Sequence, residues 1–318
     1  MTAIAIFHPT GLLGKELRET IDARHPDWVD VRLLSTREDE VGTLTEVAGA
    51  AALVGRYEPE KLKGVDLAFF CGGAEESRPI LAGLPAESVA ILLSYDATSE
   101  DGLPVVASLN GEAARGRRVL VSPHPAAMLL AHLLHPLQGF SPTEAVATVI
   151  LPASMRDQAG LEELFENTRQ IVAMTGRTPT PVFGTQLAFN LLPAPPSVAP
   201  AEAISAQLGA ILGGAPPVAL QLLQGSVFHG VSASLLVRCS MAPSPSPQEV
   251  RKTLSGAPLL EAAERPRLLG PVDVATSDKV VFGAVRPEGI GGFWLWGVMD
   301  NLTRGGALNA VEIAEAVL

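Results

Sequence analysis

The sequence predicts an α/β protein of two domains, the first of which is built on a doubly wound parallel sheet. Short apolar strands alternate with helical segments through the first 125 residues, and such alternation is typical of a parallel sheet covered by helices. The first strand passes through a glycine-containing turn directly into an amphipathic helix. The chain has 318 residues and 47% hydrophobic content, whereas a single core stops growing at roughly 250 residues, so a second domain is expected.

The composition excludes several classes of partner. The 23 basic and 34 acidic residues give a net charge of −11, and no basic cluster is long enough to track a phosphate backbone, so nucleic acid is not expected. Cys71 and Cys239 lie in apolar runs, which excludes a disulfide framework and suits a reducing compartment. No apolar run approaches the ~20 residues of a membrane-spanning helix, and no basic signal-peptide start is present. We expect a cytoplasmic protein with no metal site and no membrane partner.

The first strand and its turn resemble the start of a dinucleotide-binding βαβ unit of the Rossmann type. Ala3–Phe7 is an apolar strand, and helical spacing begins at Lys15. Between them, Gly11 lets the backbone approach a pyrophosphate, and Gly14 lets the helix pack close to the sheet. His8 occupies the place of the first glycine of the usual motif, which leaves a plain tight turn as the alternative interpretation. The candidate cofactor-binding residues of this turn are Thr10, Gly11, Leu12, Leu13 and Gly14.

The ends of the next two strands supply further candidate ligands. A strand predicted over Val29–Leu34 ends at Ser35, and Arg37 follows two residues later. Serine and arginine here can hold a 2′-phosphate, whereas an acidic residue would accept from a ribose 2′-hydroxyl, so the pattern favours NADP over NAD. A solvated loop arginine is the alternative. The apolar run Val65–Cys71 predicts a strand buried on both faces, and the pair Gly72–Gly73 at its end permits close approach by a ligand.

Three more short strands complete the predicted first sheet: Val89–Ser94, Val105–Ala107 and Val119–Val121. The last of them enters the turn Ser122–Pro125, after which an apolar helical pattern begins. In an α/β sheet, the carboxyl end of a strand that faces a helix N-terminus is where ligands are held and nucleophiles are displayed. The residue at this turn therefore decides which chemistry the protein can perform.

The second half of the chain contains longer predicted strands and several predicted helices, and this pattern predicts a mixed α/β domain. Ser246 and Glu249 form a capping-box pattern around Pro247, so a helix is expected from Gln248 to Leu254. The other predicted helices are Gly160–Val172, Ala201–Leu212 and Ala307–Val317. The predicted strands are Glu144–Leu151, Val218–Leu223, Ser232–Cys239, Val280–Arg286 and Gly292–Met299.

Four segments, in order, resemble the aspartate-semialdehyde dehydrogenase family and together span the chain: Thr10–Gly14, Cys71–Gly73, Ala188–Pro193 and Asp300–Val311. The resemblance implies a dinucleotide-binding domain of residues 1–127 with 300–318. It also implies an α/β substrate and dimerisation domain, 128–299, like the C-terminal domain of glyceraldehyde-3-phosphate dehydrogenase. A homodimer, NADP as cofactor and Asn301 as a cofactor-proximal residue follow from the same resemblance. Family members use a cysteine that attacks the aldehyde, a histidine that acts as acid and base, and hydride transfer to NADP.

The residues that carry this family's chemistry have no counterpart in the sequence. Pro125 stands where the nucleophilic cysteine is expected, and Val231 stands where the general-base histidine is expected. The two substrate-binding arginines are missing as well, and no lysine lies between Lys63 and Lys252 to hold a substrate phosphate. The sequence therefore resembles a catalytically incomplete paralogue of the Usg-like kind, with residual NADP binding and homodimerisation, and no catalytic residue is assigned.

Two alternatives stay open. His124 at the turn and His229, two residues before Val231, could support relocated oxidoreductase chemistry on an aldehyde or oxo group with NADP, within amino-acid biosynthesis. The chain could also be an interaction protein with an unknown protein partner and no nucleotide, because His8 replaces the first loop glycine. Cys71 is less favoured as a substitute nucleophile, since packing explains a small residue at a strand end beside two glycines.

Overall fold

The computed structural model divides the chain into two units, which are described separately. The first unit contains Met1–His124 and Gly305–Leu318, and the second contains Pro125–Arg304. The structure describes residues 2–28, 30–47, 49–174, 176, 178–195, 200–214, 216–240, 244–289 and 291–318. Asn301 therefore belongs to the second unit, and Val29, predicted as the start of a strand, lies outside the described residues.

Strands and helices alternate along the described residues, and the α/β class predicted from the sequence is confirmed. The strands are β1 (Ala3–Phe7), β2 (Asp30–Ser35), β3 (Leu44–Val47), β4 (Ala50–Leu53), β5 (Gly55–Arg56), β6 (Leu67–Phe70), β7 (Val89–Leu92), β8 (Leu103–Pro104), β9 (Val119–Val121), β10 (Pro142–Leu151), β11 (Leu191–Pro193), β12 (Val218–Gly225), β13 (Val231–Cys239), β14 (Leu260–Ala262), β15 (Val280–Glu288) and β16 (Gly292–Met299). The α-helices are α1 (Leu12–Arg24), α2 (Ala74–Ala82), α3 (Ala107–Asn110), α4 (Pro125–Leu134), α5 (Asp157–Val172), α6 (Ala201–Leu212), α7 (Pro247–Ser255) and α8 (Asn309–Val317).

The first unit is organised around a parallel sheet. Its strand order, in the part of the chain that the structure describes, is β5-β2-β1-β6-β7-β9-β8. All five residues of β1 are buried, as expected for a central strand of a parallel sheet. The chain leaves β1 toward β2 on one side and returns to β6 on the other. The carboxyl ends of β1 and β6 therefore form the crevice where doubly wound sheets bind ligands.

One close backbone contact positions α1, and one side chain with two hydrogen bonds positions α8. A Cβ at Gly14 would lie only 2.6 Å from the carbonyl carbon of Pro9, so the tight turn between β1 and α1 requires glycine there. At the start of α8, the Asn309 side chain accepts a hydrogen bond from the Ala107 N–H (3.0 Å) and donates one to the Val105 carbonyl (2.9 Å). The last helix of the chain is thereby fastened to the first unit.

The second unit is organised around a mixed sheet. Its order, among the described residues, is β11-β12-β10-β13-β16-β15-β14, with β10 parallel to β12 and antiparallel to β13. α4 packs on β13 and β16, α6 packs on β12, and α7 packs on β14 and β15. All ten residues of α4 are buried, and Gly297 makes room for the helix, because a Cβ there would lie 2.6 Å from Leu133 Cδ1. This unit is the mixed α/β domain that the sequence predicts.

Several elements differ from the sequence predictions. The strand predicted over Val105–Ala107 is wrong, because β8 ends at Pro104 and α3 begins at Ala107. The Asn110 side chain accepts a hydrogen bond from the Val106 N–H (2.8 Å) and donates one to the Pro104 carbonyl (3.0 Å). It therefore pairs with backbone groups that a neighbouring strand would otherwise have to satisfy. Helix α2, whose pattern is obscured by Pro79, and the hairpin β3–β4, whose residues are mostly exposed, were not predicted from the sequence.

Three further properties belong to the whole described chain. Within the described ranges, no helix combines the length and apolarity needed to cross a membrane. Nor do the described residues include a group of three or more His, Cys, Asp or Glu side chains that could hold a metal ion. Cys71 and Cys239 are not joined by a disulfide.

Candidate functional site

The residues predicted to bind a cofactor in the first unit come together at the carboxyl ends of β1, β2 and β6. The turn Thr10–Gly14 leads from β1 into α1, Ser35 ends β2, and the pair Gly72–Gly73 leads from β6 into α2. Thr10 is exposed, Gly11, Leu12, Arg37 and Gly73 are half-buried, and Leu13, Gly14, Ser35 and Gly72 are buried. The reachable side of the loop is therefore its first part, where α1 begins.

The N-terminus of α1 fits a pyrophosphate. Gly11 is the N-cap of this 13-residue helix, and its backbone is extended. Gly11 places no capping side chain over the first turn, and the positive end of the helix dipole there favours an anion. The residues present at this turn thus fit the phosphates of a dinucleotide.

His8 lies in the crevice between the ends of β1 and β6. It adopts φ 55°, is 2% exposed, and its Nδ1 lies 3.1 Å from Ser35 Oγ. Its Nε2 lies 3.4 Å from Thr36 Oγ1. The ring also packs on the open face of Gly72, where a Cβ would lie 2.4 Å from His8 Cδ2. The residue that replaces the loop glycine therefore turns inward, and it links the ends of the three strands.

Two carboxylates complete a group that we call the His8 cluster, consisting of His8, Arg37, Glu40 and Glu76. Arg37 donates from Nε to Glu76 Oε1 (3.0 Å) and from Nη2 to Glu76 Oε2 (2.5 Å). Its Nη1 donates to Glu40 Oε1 (3.3 Å). On the other side, His8 Nδ1 lies 3.4 Å from Glu40 Oε2, and His8 Nε2 lies 3.9 Å from Glu76 Oε2. Arg37 is therefore held by two acidic side chains.

The electrostatics of the His8 cluster keep both carboxylates ionised near neutral pH. Burial raises the pKa of Glu40, but hydrogen bonds from His8 and two neighbouring hydroxyls outweigh burial and bring this pKa to about 2. The hydrogen bond from Arg37 lowers the pKa of Glu76, and the same bond raises the pKa of Arg37. One guanidinium and two carboxylates give the cluster a charge of −1 before His8 is counted.

Sequence reasoning missed both glutamates of this cluster. Glu40 lies five residues beyond the end of β2, and only the loop conformation turns it back toward His8. Glu76 lies in the first turn of α2, a helix that the sequence analysis did not predict. The available signal was the acidic pair Glu75–Glu76, which follows Gly72–Gly73 after one alanine, since acidic residues are favoured in the first turn of a helix.

Pro125 and Val231, which the sequence resemblance predicts at catalytic positions, lie in the second unit and are buried. Pro125 is the first residue of α4, and Val231, which is 0% exposed, is the first residue of β13. Pro125 offers neither a nucleophilic atom nor a backbone N–H. Val231 offers no group that could hold or move a proton.

The two histidines of the alternative hypothesis belong to different units. His124 lies in the first unit, is 1% exposed, and has its ring 5.9 Å from the ring of Tyr95. Burial lowers the pKa of His124 to about 3. His229 lies in the second unit and is half-buried. His124 is thus neutral at physiological pH.

Asn301, predicted as a cofactor-proximal residue, is 0% exposed in the second unit. Its Oδ1 accepts from the Gly230 N–H (2.9 Å), and its Nδ2 donates to Ser154 Oγ (3.0 Å). These bonds tie together three segments that are distant in sequence. Asn301 therefore has a structural role that does not depend on a cofactor.

Comparison with known proteins agrees with this architecture. Residues 3–116 match the family described as Semialdehyde dehydrogenase, NAD binding domain. The USG-1 protein homolog of Pseudomonas aeruginosa is 27% identical, over 99% of this chain and 97% of that protein. The aspartate-semialdehyde dehydrogenase of Rickettsia bellii is 23% identical over the same shares of the two chains. A solved structure of a probable aspartate-semialdehyde dehydrogenase from Pseudomonas aeruginosa matches with a TM-score of 0.88 and 27% identity, over 99% of this chain and 97% of that one.

The parallel sheet, its glycine turns and the family match define the first unit as a dinucleotide-binding domain of the semialdehyde dehydrogenase type. The second unit follows the same relatives through the rest of the chain. The chain is similar over nearly its whole length to aspartate-semialdehyde dehydrogenases and to USG-1 protein homologs. The resemblance predicted from the four sequence segments is therefore confirmed.

Proposed function

We propose that this protein is a member of the aspartate-semialdehyde dehydrogenase family that binds a nicotinamide dinucleotide and does not perform the family's thioester chemistry. The observation that carries the proposal is Pro125 at the N-terminus of α4. A covalent mechanism needs an activated nucleophile beside a positioned base, and Pro125 and Val231 supply neither. Removal of a covalent nucleophile costs orders of magnitude in rate that binding cannot restore.

Proline at this position also removes a stabilising donor. An anionic tetrahedral intermediate is held by backbone N–H groups near the nucleophile, and Pro125 contributes none. The reaction would therefore lose electrostatic stabilisation together with its nucleophile. A cysteine restored at this position alone would still lack the base that Val231 replaces.

The burial of His124 does not favour a catalytic role for this residue. Its imidazole is 1% exposed, and with a pKa of about 3 it is too weak a base to accept a proton efficiently near pH 7. His229 is the more accessible of the two histidines, but a single imidazole supplies neither a nucleophile nor a hydride acceptor. Relocated oxidoreductase chemistry thus remains the second candidate and has less support.

The test is a hydride-transfer assay with aspartate semialdehyde, phosphate and either NADP or NAD, run beside an active aspartate-semialdehyde dehydrogenase. We expect no turnover above the blank from the purified protein and none from Pro125→Cys. Sustained turnover by the unsubstituted protein would overturn the proposal. Loss of that turnover in His124→Gln or His229→Gln would then establish the relocated chemistry.

We also propose that the protein is a homodimer that associates through one face of the second sheet. Side chains alternate along β16, so Gly297 faces α4 and Trp296 and Trp294 face the opposite side. In register, Trp294 lies beside Leu236, which lies beside Val146, and both tryptophans are half-buried. A wide apolar face with two tryptophans is typical of a homodimer interface.

Light scattering after size-exclusion chromatography tests the dimer. Thr148→Arg places a charge in the middle of this face, since Thr148 pairs with Ser234, which pairs with Trp296. We expect a dimer for the unsubstituted protein and a monomer for Thr148→Arg. Ser255→Arg, at the exposed end of α7, is the matched control and should stay dimeric. A monomeric unsubstituted protein would contradict the proposal.

A further inference from the structure

The region at the end of β2 is where a doubly wound sheet distinguishes NAD from NADP. An acidic side chain there accepts a hydrogen bond from the ribose 2′-hydroxyl of NAD, whereas an arginine there pairs with the 2′-phosphate of NADP. This chain places both kinds of side chain at that point, namely Arg37 and the carboxylates of Glu40 and Glu76. The contacts among these three side chains decide which dinucleotide fits.

Arg37 is already engaged by carboxylates. Its two parallel hydrogen bonds to Glu76 form the bidentate arrangement that is the strongest pairing of a guanidinium, and its remaining nitrogen contacts Glu40. A 2′-phosphate would need the same face of the guanidinium, so it would have to displace Glu76. The displaced carboxylate would stay on the first turn of α2, next to the incoming phosphate.

The charge of the His8 cluster opposes a phosphate as well. A phosphate monoester carries about −1.5 to −2 at pH 7, and it would join a group whose guanidinium and two carboxylates already sum to −1. Glu40 cannot turn away from it, because this side chain is 7% exposed and is held beside His8. Charges that are partly buried are screened weakly by salt, so the repulsion persists at physiological ionic strength.

A 2′-hydroxyl meets none of these obstacles. The Glu76 side chain is 38% exposed, and an ionised carboxylate has about four acceptor sites, so it can accept from a hydroxyl while it keeps its bonds to Arg37. The hydroxyl adds no charge, and its bond to a carboxylate is charge-assisted. The cluster as it stands is thus complementary to a donor.

We propose that the first unit selects a dinucleotide with a free ribose 2′-hydroxyl, NAD, over the 2′-phosphorylated NADP. Glu76 is the selecting residue, and Arg37, Glu40 and His8 position it. This inference rests on the proposed dinucleotide binding and reverses the preference for NADP that Ser35 and Arg37 suggest in the sequence. His8 is 2% exposed, so it acts through its contacts with Glu40 and Glu76 rather than by touching the dinucleotide.

The experiment is isothermal titration of the full chain with NAD and, separately, with NADP. For the unsubstituted protein we expect NAD to bind at least about tenfold tighter than NADP, the difference that one charge-assisted contact makes. In Glu76→Gln the guanidinium is released and one negative charge is lost, so the Kd for NADP should fall by about tenfold while that for NAD rises. Glu75→Gln is the matched control, because it removes the same charge from the exposed adjacent position of α2.

The possible results of these titrations separate the proposed selectivity from the proposed dinucleotide binding. Equal or tighter binding of NADP by the unsubstituted protein would overturn the selectivity and leave the proposed dinucleotide binding intact, and this result does not depend on any variant folding. Binding of neither dinucleotide would refute the proposed function and this inference together. An equal gain of NADP affinity in Glu75→Gln and Glu76→Gln would show a general charge effect and would overturn the role of Glu76.

Discussion

Lowering the pH from 7 to 5 should destabilise this protein, because two histidines are buried in their neutral form. His124 in the first unit is 1% exposed, and His132 on α4 in the second unit is 2% exposed. Burial lowers the pKa of His124 to about 3. Burial also lowers the pKa of His132 to about 4, although the hydrogen bond of its Nδ1–H to the Met128 carbonyl (2.9 Å) raises it and Arg304 lowers it.

The sign and size of the effect follow from proton linkage. In the unfolded chain a histidine titrates near pKa 6.5, so between about pH 6.5 and about pH 4 the unfolded state binds more protons than the folded state. The stability is complete above pH 6.5 and falls as the pH falls through this range. At pH 5, which is about 1.5 pH units below the unfolded-state pKa of 6.5, each histidine lowers the free energy of unfolding by about 2 kcal/mol, at about 1.4 kcal/mol per pH unit. The two histidines together therefore lower it by about 4 kcal/mol. Glu40, with its lowered pKa of about 2, adds a loss only below about pH 4.5.

Urea unfolding followed by tryptophan fluorescence measures this loss in each unit. Trp28 lies in the first unit, and the other two tryptophans, Trp294 and Trp296, lie in the second. A Trp28→Phe background therefore reports the second unit, in which His132→Gln should remove most of the difference between pH 7 and pH 5. His135→Gln, at an exposed position just after α4, should retain it. A free energy of unfolding that agrees within about 0.5 kcal/mol at the two pH values would refute the reasoning.

Two substitutions test the packing of the second unit. Asn301→Ala should lower its free energy of unfolding by about 2–4 kcal/mol, because the buried Gly230 N–H loses its acceptor and a small cavity opens. Urea unfolding beside the exposed-site control Asn190→Ala measures this, and a loss under about 1 kcal/mol would contradict it. Gly297→Ala should cost about 1–3 kcal/mol, because its Cβ would lie 2.6 Å from Leu133 Cδ1 and α4 has no room to retreat. An unchanged thermal midpoint would show that the leucine simply rotates away.

The fold was predictable where burial dictates the sequence pattern. β1 occupies the residues expected of it, since a strand covered on both sides must be apolar almost throughout, and β16 also has the bounds expected from its apolar run. The prediction failed at Val105–Ala107, where the side chain of Asn110 satisfies backbone groups and a helix starts instead. An apolar triplet does not reveal whether its hydrogen bonds come from a neighbouring strand or from one polar side chain. An apolar triplet is therefore compatible with a strand and with the start of a helix.

The candidate site was predictable in its location but not in its charge. The carboxyl-edge rule brings Thr10, Ser35 and Gly72 together, because parallel strands end at one edge of the sheet. The two glutamates could not be placed, since their positions depend on loop conformations that no periodicity encodes. Arg37 could be read from sequence as a phosphate ligand only as long as its bonds to Glu76 were unknown.

His8 and Pro125, which the sequence resemblance places at a glycine position and at a cysteine position, have the same physical character. Proline is favourable at the first position of a helix, so α4 keeps its packing although position 125 carries no reactive atom. His8 adopts φ 55°, a left-handed conformation that costs a side chain about 1–2 kcal/mol, and hydrogen bonding with Ser35 together with the contact between His8 Nδ1 and Glu40 Oε2 offsets this strain. The surrounding fold accommodates each of these residues. The fold therefore does not depend on a glycine at position 8 or on a nucleophile at position 125, whereas the selectivity proposed for the first unit depends on the contacts of His8.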